Sequence, residues 1–158
     1  MISVAAESVD RPEFTAAREV PPDWPLADTS RMVHSFGTRW HVQQTGAGPT
    51  LLLLHGTAAS THSFRRLVPL LARDFTVLAI DLPGHGFSTR LPDRDMSLTA
   101  IARGIEGLCE TLDTMPRFIA GHSAGAAIAL RIALDAGAAV EAVVGLNAAL
   151  LPYGGALK

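Results

Sequence analysis

Cysteine is almost missing from this chain: Cys109 stands alone among 158 residues. A disulfide within the chain is therefore excluded, which suits a reducing compartment. No Cys/His cluster has the spacing of a metal site, so no metal ligand and no cofactor is expected. A basic excess is missing too. The formal net charge is -2, which speaks against nucleic acid or an anionic membrane as partner. No apolar run approaches the roughly 20 residues of a membrane span. The N-terminus "MISVAAESVDRPEFTAAREV" carries acids and lacks the basic start and apolar core of a secretory signal. These absences together suggest a cytoplasmic protein. Disorder is excluded by the composition, 48% hydrophobic and 18% charged, which supplies a sizeable core for one domain. Cys109, in "IEGLCETLD", reads as a small buried apolar side chain on a helix.

What is present has a regular order. Residues 1–30 are polar and proline-bearing and read as an arm or linker, with Trp24 placed to pin it to the domain that follows. "MVHSFGTRWHVQQTG" reads as two short strands around a turn at Phe36-Gly37-Thr38. "PTLLLLHG" is apolar at every position, as a strand buried on both faces should be. "STHSFRRLVPLLARDF" follows as a helix interrupted by Pro69, and "TVLAIDL" as a strand ending in the turn "PGHGFS". In "SLTAIARGIEGLCETLD", Leu98, Ile101, Ile105, Leu108 and Leu112 recur three and four apart, behind Ser97 as N-cap. "RFIAGHS" is a strand. "AGAAIALRIALDAG" is a helix apolar almost all round, hence expected to be buried. "VEAVVGLNAA", with its strand over about Val140 to Leu146, comes last. Alternating strands and helices predict an α/β fold with a mostly parallel sheet and helices on both faces. Ligand sites in such sheets lie beyond the carboxyl ends of the strands.

The chemistry-bearing residues converge on that edge. Gly121-His122-Ser123-Ala124-Gly125 places a serine between two glycines, after a strand and before a helix. This is the pattern of a nucleophile elbow, whose tight turn exposes the serine hydroxyl at a helix N-terminus. Gly121 and Gly125 are small because strand and helix approach closely there. His122 points away from the turn and is expected to pack beside the sheet. An oxyanion hole needs two N–H donors. Ala124, the residue after the serine, is one candidate, and Thr57, in the loop His55-Gly56-Thr57, is the other. His55 directly precedes the loop's Gly56 and reads as a hydrogen-bonding brace rather than a base.

"LLLLHGTAAS", "IDLPGHGFS" and "AGHSAG", in this order, resemble the α/β-hydrolases. A narrower resemblance runs from about Asp23 to the end of the chain. "DWP", "RWHVQQTGAGPTLLLLHGTAASTHSF", "DLPGHGFS", "GHSAGAAIALRIALD" and "LNAALLPYGGA" are similar to the magnesium-chelatase accessory proteins of bacteriochlorophyll biosynthesis. Ala58 stands where that family usually has glycine, and Phe64 where it has tryptophan. The resemblance implies a hydrolase fold linked to photosynthesis, at the step that inserts magnesium into protoporphyrin.

Hydrolases of this superfamily take their triad in the chain order serine, acid, histidine. Here all six histidines, His34, His41, His55, His62, His85 and His122, precede Ser123. The acids after it are Asp135, far along the helix, and Glu141, at the start of the last strand. The triad acid and histidine are thus absent from this chain. The resemblance implies that residues 31–158 are the N-terminal part of an α/β-hydrolase domain, with the sheet truncated after about the sixth strand. Two functions stay open. One is esterase-type chemistry on a small-molecule substrate in a complete form, with Ser123 as nucleophile. The other is a non-catalytic accessory role, binding a tetrapyrrole intermediate or a magnesium-chelatase subunit.

Overall fold

In the computed structural model, which describes residues 19–150, the apolar runs become strands buried on both faces. Six strands form one sheet: β1 (Ser30–Ser35), β2 (Thr38–Thr45), β3 (Thr50–Leu54), β4 (Thr76–Ile80), β5 (Phe118–His122) and β6 (Ala142–Leu146). Their spatial order is β1-β2-β4-β3-β5-β6. The hairpin β1–β2 and the pair β2–β4 are antiparallel, and β4–β3, β3–β5 and β5–β6 are parallel. The hairpin turns at Phe36 and Gly37, both at positive φ (48° and 75°), the backbone twist that two-residue hairpin loops favour.

Period-two alternation divides the central strands between two cores. Leu52, Leu54, Leu78, Ile80 and Ile119 face the first core, built with α2 (Leu98–Thr111) and α3 (Ala124–Ala136). Leu51, Leu53, Val77, Ala79 and Ala120 face the second, under Phe64 and Val68. Helical segments therefore cover both faces, as the apolar β3 and β4 require. In α2, Ile101, Ile105 and Leu108 are buried, while Leu98 at its start is exposed. Ser97 caps the helix, its Oγ accepting the Ala100 N–H at 3.2 Å. Cys109 lies in the core, where burial pushes its thiol up to about 12 and leaves it unreactive.

Two expectations are corrected. The stretch after β3 is not one helix. A 3-10 turn at Thr61–Phe64 is followed by the single turn α1 (Val68–Leu71). Pro69, second in that turn, has no N–H, and its ring would collide with the carbonyl four residues back. The helix α3 is not buried all round. Ile128, Ala129 and Ile132 face the core, but Leu134 is 78% exposed. Residues 19–30 pack on the domain, and Trp24 is one of the contacts. Leu26 packs on the second core, and Gln43 Nε2–H donates to the Pro25 carbonyl at 2.7 Å. Trp24 lies edge-on to Phe87 and against His62. The remainder of the 1–30 segment, residues 1–18, and the final residues 151–158 lie outside the described residues.

Strand β6 pairs with β5, and among the described residues nothing pairs with its other edge. Val144 is 53% exposed and Leu146 39% exposed on this strand. Free apolar edges recruit further strands. The chain made alone is expected to self-associate, and Val144→Lys is expected to suppress this. Light scattering checks it: a monodisperse monomer at all concentrations would contradict the expectation.

Candidate active site

Strands β3, β4, β5 and β6 end on the same edge, and the loops that leave them meet there. Between β5 and α3, Ser123 adopts φ 53°, ψ −118°. A non-glycine residue there stores roughly 1–3 kcal/mol of strain and needs its surroundings to enforce it. Packing enforces it here. A methyl group on Gly121 would run into the Gly125 carbonyl, and one on Gly125 into the carbonyls of Leu54 and His55. Both glycines are buried, so α3 starts hard against the ends of β5 and β3. The Ser123 N–H donates to the Leu146 carbonyl at 3.0 Å, extending the β5–β6 ladder by one residue.

The segment after β6 closes on the same turn. Asn147 takes a left-handed φ of 47°, and the Ala149 N–H donates to the Ser123 carbonyl at 3.2 Å. That carbonyl also accepts the Ala126 N–H at 3.1 Å. The elbow backbone is thus held from β6 and from α3. Sequence reading missed this wrap, whose one local signal is the residue type of Asn147, which tolerates the left-handed region.

The structure brings the β3 loop to the elbow. A methyl group on Gly56 would lie 3.0 Å from Ser123 Cβ and 3.1 Å from His122 Nδ1, so any larger residue would press on both. Thr57 and Ala58 are exposed beyond it. Ala58 sits at φ 57°, which explains why glycine is the easier residue there. The Ala59 N–H donates to the Gly56 carbonyl at 3.3 Å, closing the turn. Among the described residues, neither the Thr57 nor the Ala124 N–H enters the loop and cap hydrogen bonds. His122 is exposed rather than packed beside the sheet.

His55 is wholly buried and both ring nitrogens are engaged. Its Nδ1–H donates to the Gly56 carbonyl at 2.7 Å, and its Nε2 accepts the Leu82 N–H at 2.9 Å. It ties the β3 loop to the β4 loop and has no lone pair left for a serine proton. Burial holds its pKa below the usual histidine value, against the opposing pull of the Gly56 hydrogen bond. The acids after Ser123 are remote from it. Asp135 pairs with Arg131 one helical turn away, and Glu141 pairs with Arg117 at the start of β5. Among the described residues no group of three or more His, Cys, Asp or Glu forms a metal site, and no helix is long and apolar enough to cross a membrane.

A family model described as the alpha/beta hydrolase fold matches residues 49–156. The Magnesium-chelatase 30 kDa subunit of Rhodobacter capsulatus is 43% identical over 135 residues, 84% of this chain and 47% of that protein. An alpha/beta hydrolase fold protein from Burkholderia ambifaria superposes with a TM-score of 0.72 at 30% identity, over 84% of this chain and 48% of that one. Cfl2 from Burkholderia cenocepacia gives 0.71 at 29%, over 82% and 46%. The chain spans about half the length of these relatives.

His55 generates a pH prediction. Its folded pKa is depressed, so below about pH 6.5 the unfolded chain takes up a proton that the folded chain refuses. Stability is full above that pH and falls as pH drops, by at most about 1.4 kcal/mol per unit from this group. Denaturant titrations between pH 7.5 and 5 should show this slope, and His55→Gln should flatten it. An unchanged slope in the variant would contradict the buried neutral imidazole.

Proposed function

Because the chain belongs to the α/β-hydrolase fold family, we propose that Ser123 is the nucleophile of esterase-type chemistry, with the Thr57 and Ala124 N–H groups as its oxyanion hole. One observation carries the reading: the strained φ 53°, ψ −118° of Ser123 at the start of α3, beside Gly56 of the β3 loop. Strain of this kind gathers at functional sites. The turn puts Ser123 where the helix N-terminus favours developing negative charge. The acyl group of an ester would be attacked by Oγ, and its carbonyl oxygen would gather charge between the two N–H donors. The serine proton needs a base. His55 is fully engaged, and no histidine follows Ser123 in this sequence. The base and its acid are therefore proposed to come from outside these 158 residues.

The likeness to the Rhodobacter capsulatus Magnesium-chelatase 30 kDa subunit supports a second reading. In it the same edge binds a tetrapyrrole intermediate, or a chelatase subunit, without turnover, in the service of magnesium insertion for bacteriochlorophyll. A cytoplasmic location agrees with either reading.

A fluorophosphonate separates the two. The chemical reading predicts a slow, stoichiometric adduct on Ser123, found by intact mass and lost in Ser123→Ala. It also predicts no sustained turnover of an activated ester, since loss of a triad histidine costs on the order of 10⁶ in turnover in a well-studied protease. An adduct that persists in Ser123→Ala, or none in the wild type, would remove Ser123 as nucleophile and leave the binding reading.

A further inference from the structure

The stretch "DLPGHGFS" takes no part in the chemistry above, yet its first residue is a wholly buried carboxylate. A buried charge is tolerated only when paired and hydrogen-bonded. Asp81 has three donors. Its Oδ1 accepts the Thr61 N–H at 2.7 Å. Its Oδ2 accepts the Phe87 N–H at 2.9 Å and His41 Nδ1–H at 2.8 Å. Burial pushes the carboxyl up, but the His41 hydrogen bond and charge, with the Phe87 and Thr61 N–H groups, outweigh it and hold it below the usual carboxylate range. Gly86 belongs to the same arrangement, since a methyl group there would overlap the Asp81 carboxylate.

The three donors come from three segments. Thr61 ends the β3 loop that begins at Gly56. Phe87 lies in the β4 loop. His41 lies in β2, is itself wholly buried, and has its Nε2 3.0 Å from Ser30 Oγ. Ser30, His41 and Asp81 thus have the connectivity of a hydrolytic triad. They are not placed to act as one. Ser30 Oγ already accepts Gln43 Nε2–H at 3.1 Å, and the imidazole is sealed from solvent. What the chain of bonds does is orient the carboxylate. With His41 fixed between Ser30 and Asp81, Oδ1 is aimed at Thr61.

We propose that Asp81, steadied by His41, is the positioning residue of the β3 loop, fixing residues 57–60 so that the Thr57 N–H stands beside Ser123. Three residues lie between Thr57 and the anchored Thr61, and the other end is held by His55 on the Gly56 carbonyl. The loop is pinned at both ends, and Asp81 is the pin on the far side. Its chemical consequence rests on the reading of Ser123 and Thr57 given above, whereas its effect on the loop does not.

Amide hydrogen exchange on the full chain tests the loop, and Ser123 phosphonylation tests the consequence. Asp81→Asn keeps the shape but presents an N–H group to donors. The Thr61 and Phe87 amides, with the Ala59 amide that closes the loop on the Gly56 carbonyl, should exchange at least about tenfold faster relative to amides of β3 and β5, the scale of a lost charged hydrogen bond. Phosphonylation of Ser123 should slow by a similar factor. His41→Gln, which retains the carboxylate, should give a smaller rise at the same amides, and it decides the matter should Asp81→Asn not fold. Unchanged loop exchange in a folded variant would overturn the proposal. A wild-type chain that is never phosphonylated would instead overturn the reading of Ser123, and the exchange comparison would still judge Asp81.

Discussion

The structure depends on one close approach, between the first turn of α3 and the carboxyl ends of β5 and β3. Gly121 and Gly125 have no room for a methyl group, because the Gly125, Leu54 and His55 carbonyls occupy it. Once that contact is made, the chain has a single residue in which to pass from strand to helix. Ser123 absorbs the whole change of direction. Its backbone strain is roughly 1–3 kcal/mol, small against the burial of the first core that α3 and the sheet share. Packing therefore wins, and the serine is held in a conformation it would not adopt alone.

The loops around the elbow are held by buried polar side chains. His55 and Asp81 are each wholly buried, and each links segments distant in sequence. His55 joins the β3 loop to the β4 loop through Gly56 and Leu82. Asp81 joins the same two loops to β2 through Thr61, Phe87 and His41. Buried polar groups cost free energy unless satisfied, so these bonds form only in one arrangement of the loops. That selectivity serves the proposed site, whose Thr57 N–H lies on a loop with an exposed tip.

Much of the fold was legible because periodicity reports burial directly. Strands β3 and β4 read as runs apolar on both faces, and α2 as a stripe three and four apart. The elbow was legible because its glycines mark a close approach, and His55 because it adjoins Gly56. The rest needed three dimensions. His41 and Asp81 are 40 residues apart, and no local pattern announces their pairing. The exposure of His122, Leu130 and Leu134 depends on what does not cover them, which hydrophobicity alone does not tell. The short α1 was half legible: Pro69 marked the break, but the 3-10 turn before it follows from how Phe64 and Val68 reach the second core. The packing of residues 19–30 was legible only at Trp24; the contact of Gln43 with the Pro25 carbonyl was hidden, because a polar residue gave no sign of being buried.

The central claim is that Ser123 and two backbone N–H groups form one prepared site. It is tested most directly by an experimental structure of the chain carrying a phosphonate. The account predicts the phosphorus on Ser123 Oγ, with one phosphonyl oxygen about 3 Å from both the Thr57 and the Ala124 nitrogen. A phosphonyl oxygen turned to solvent, or a β3 loop whose Thr57 N–H points away from Ser123, would contradict it.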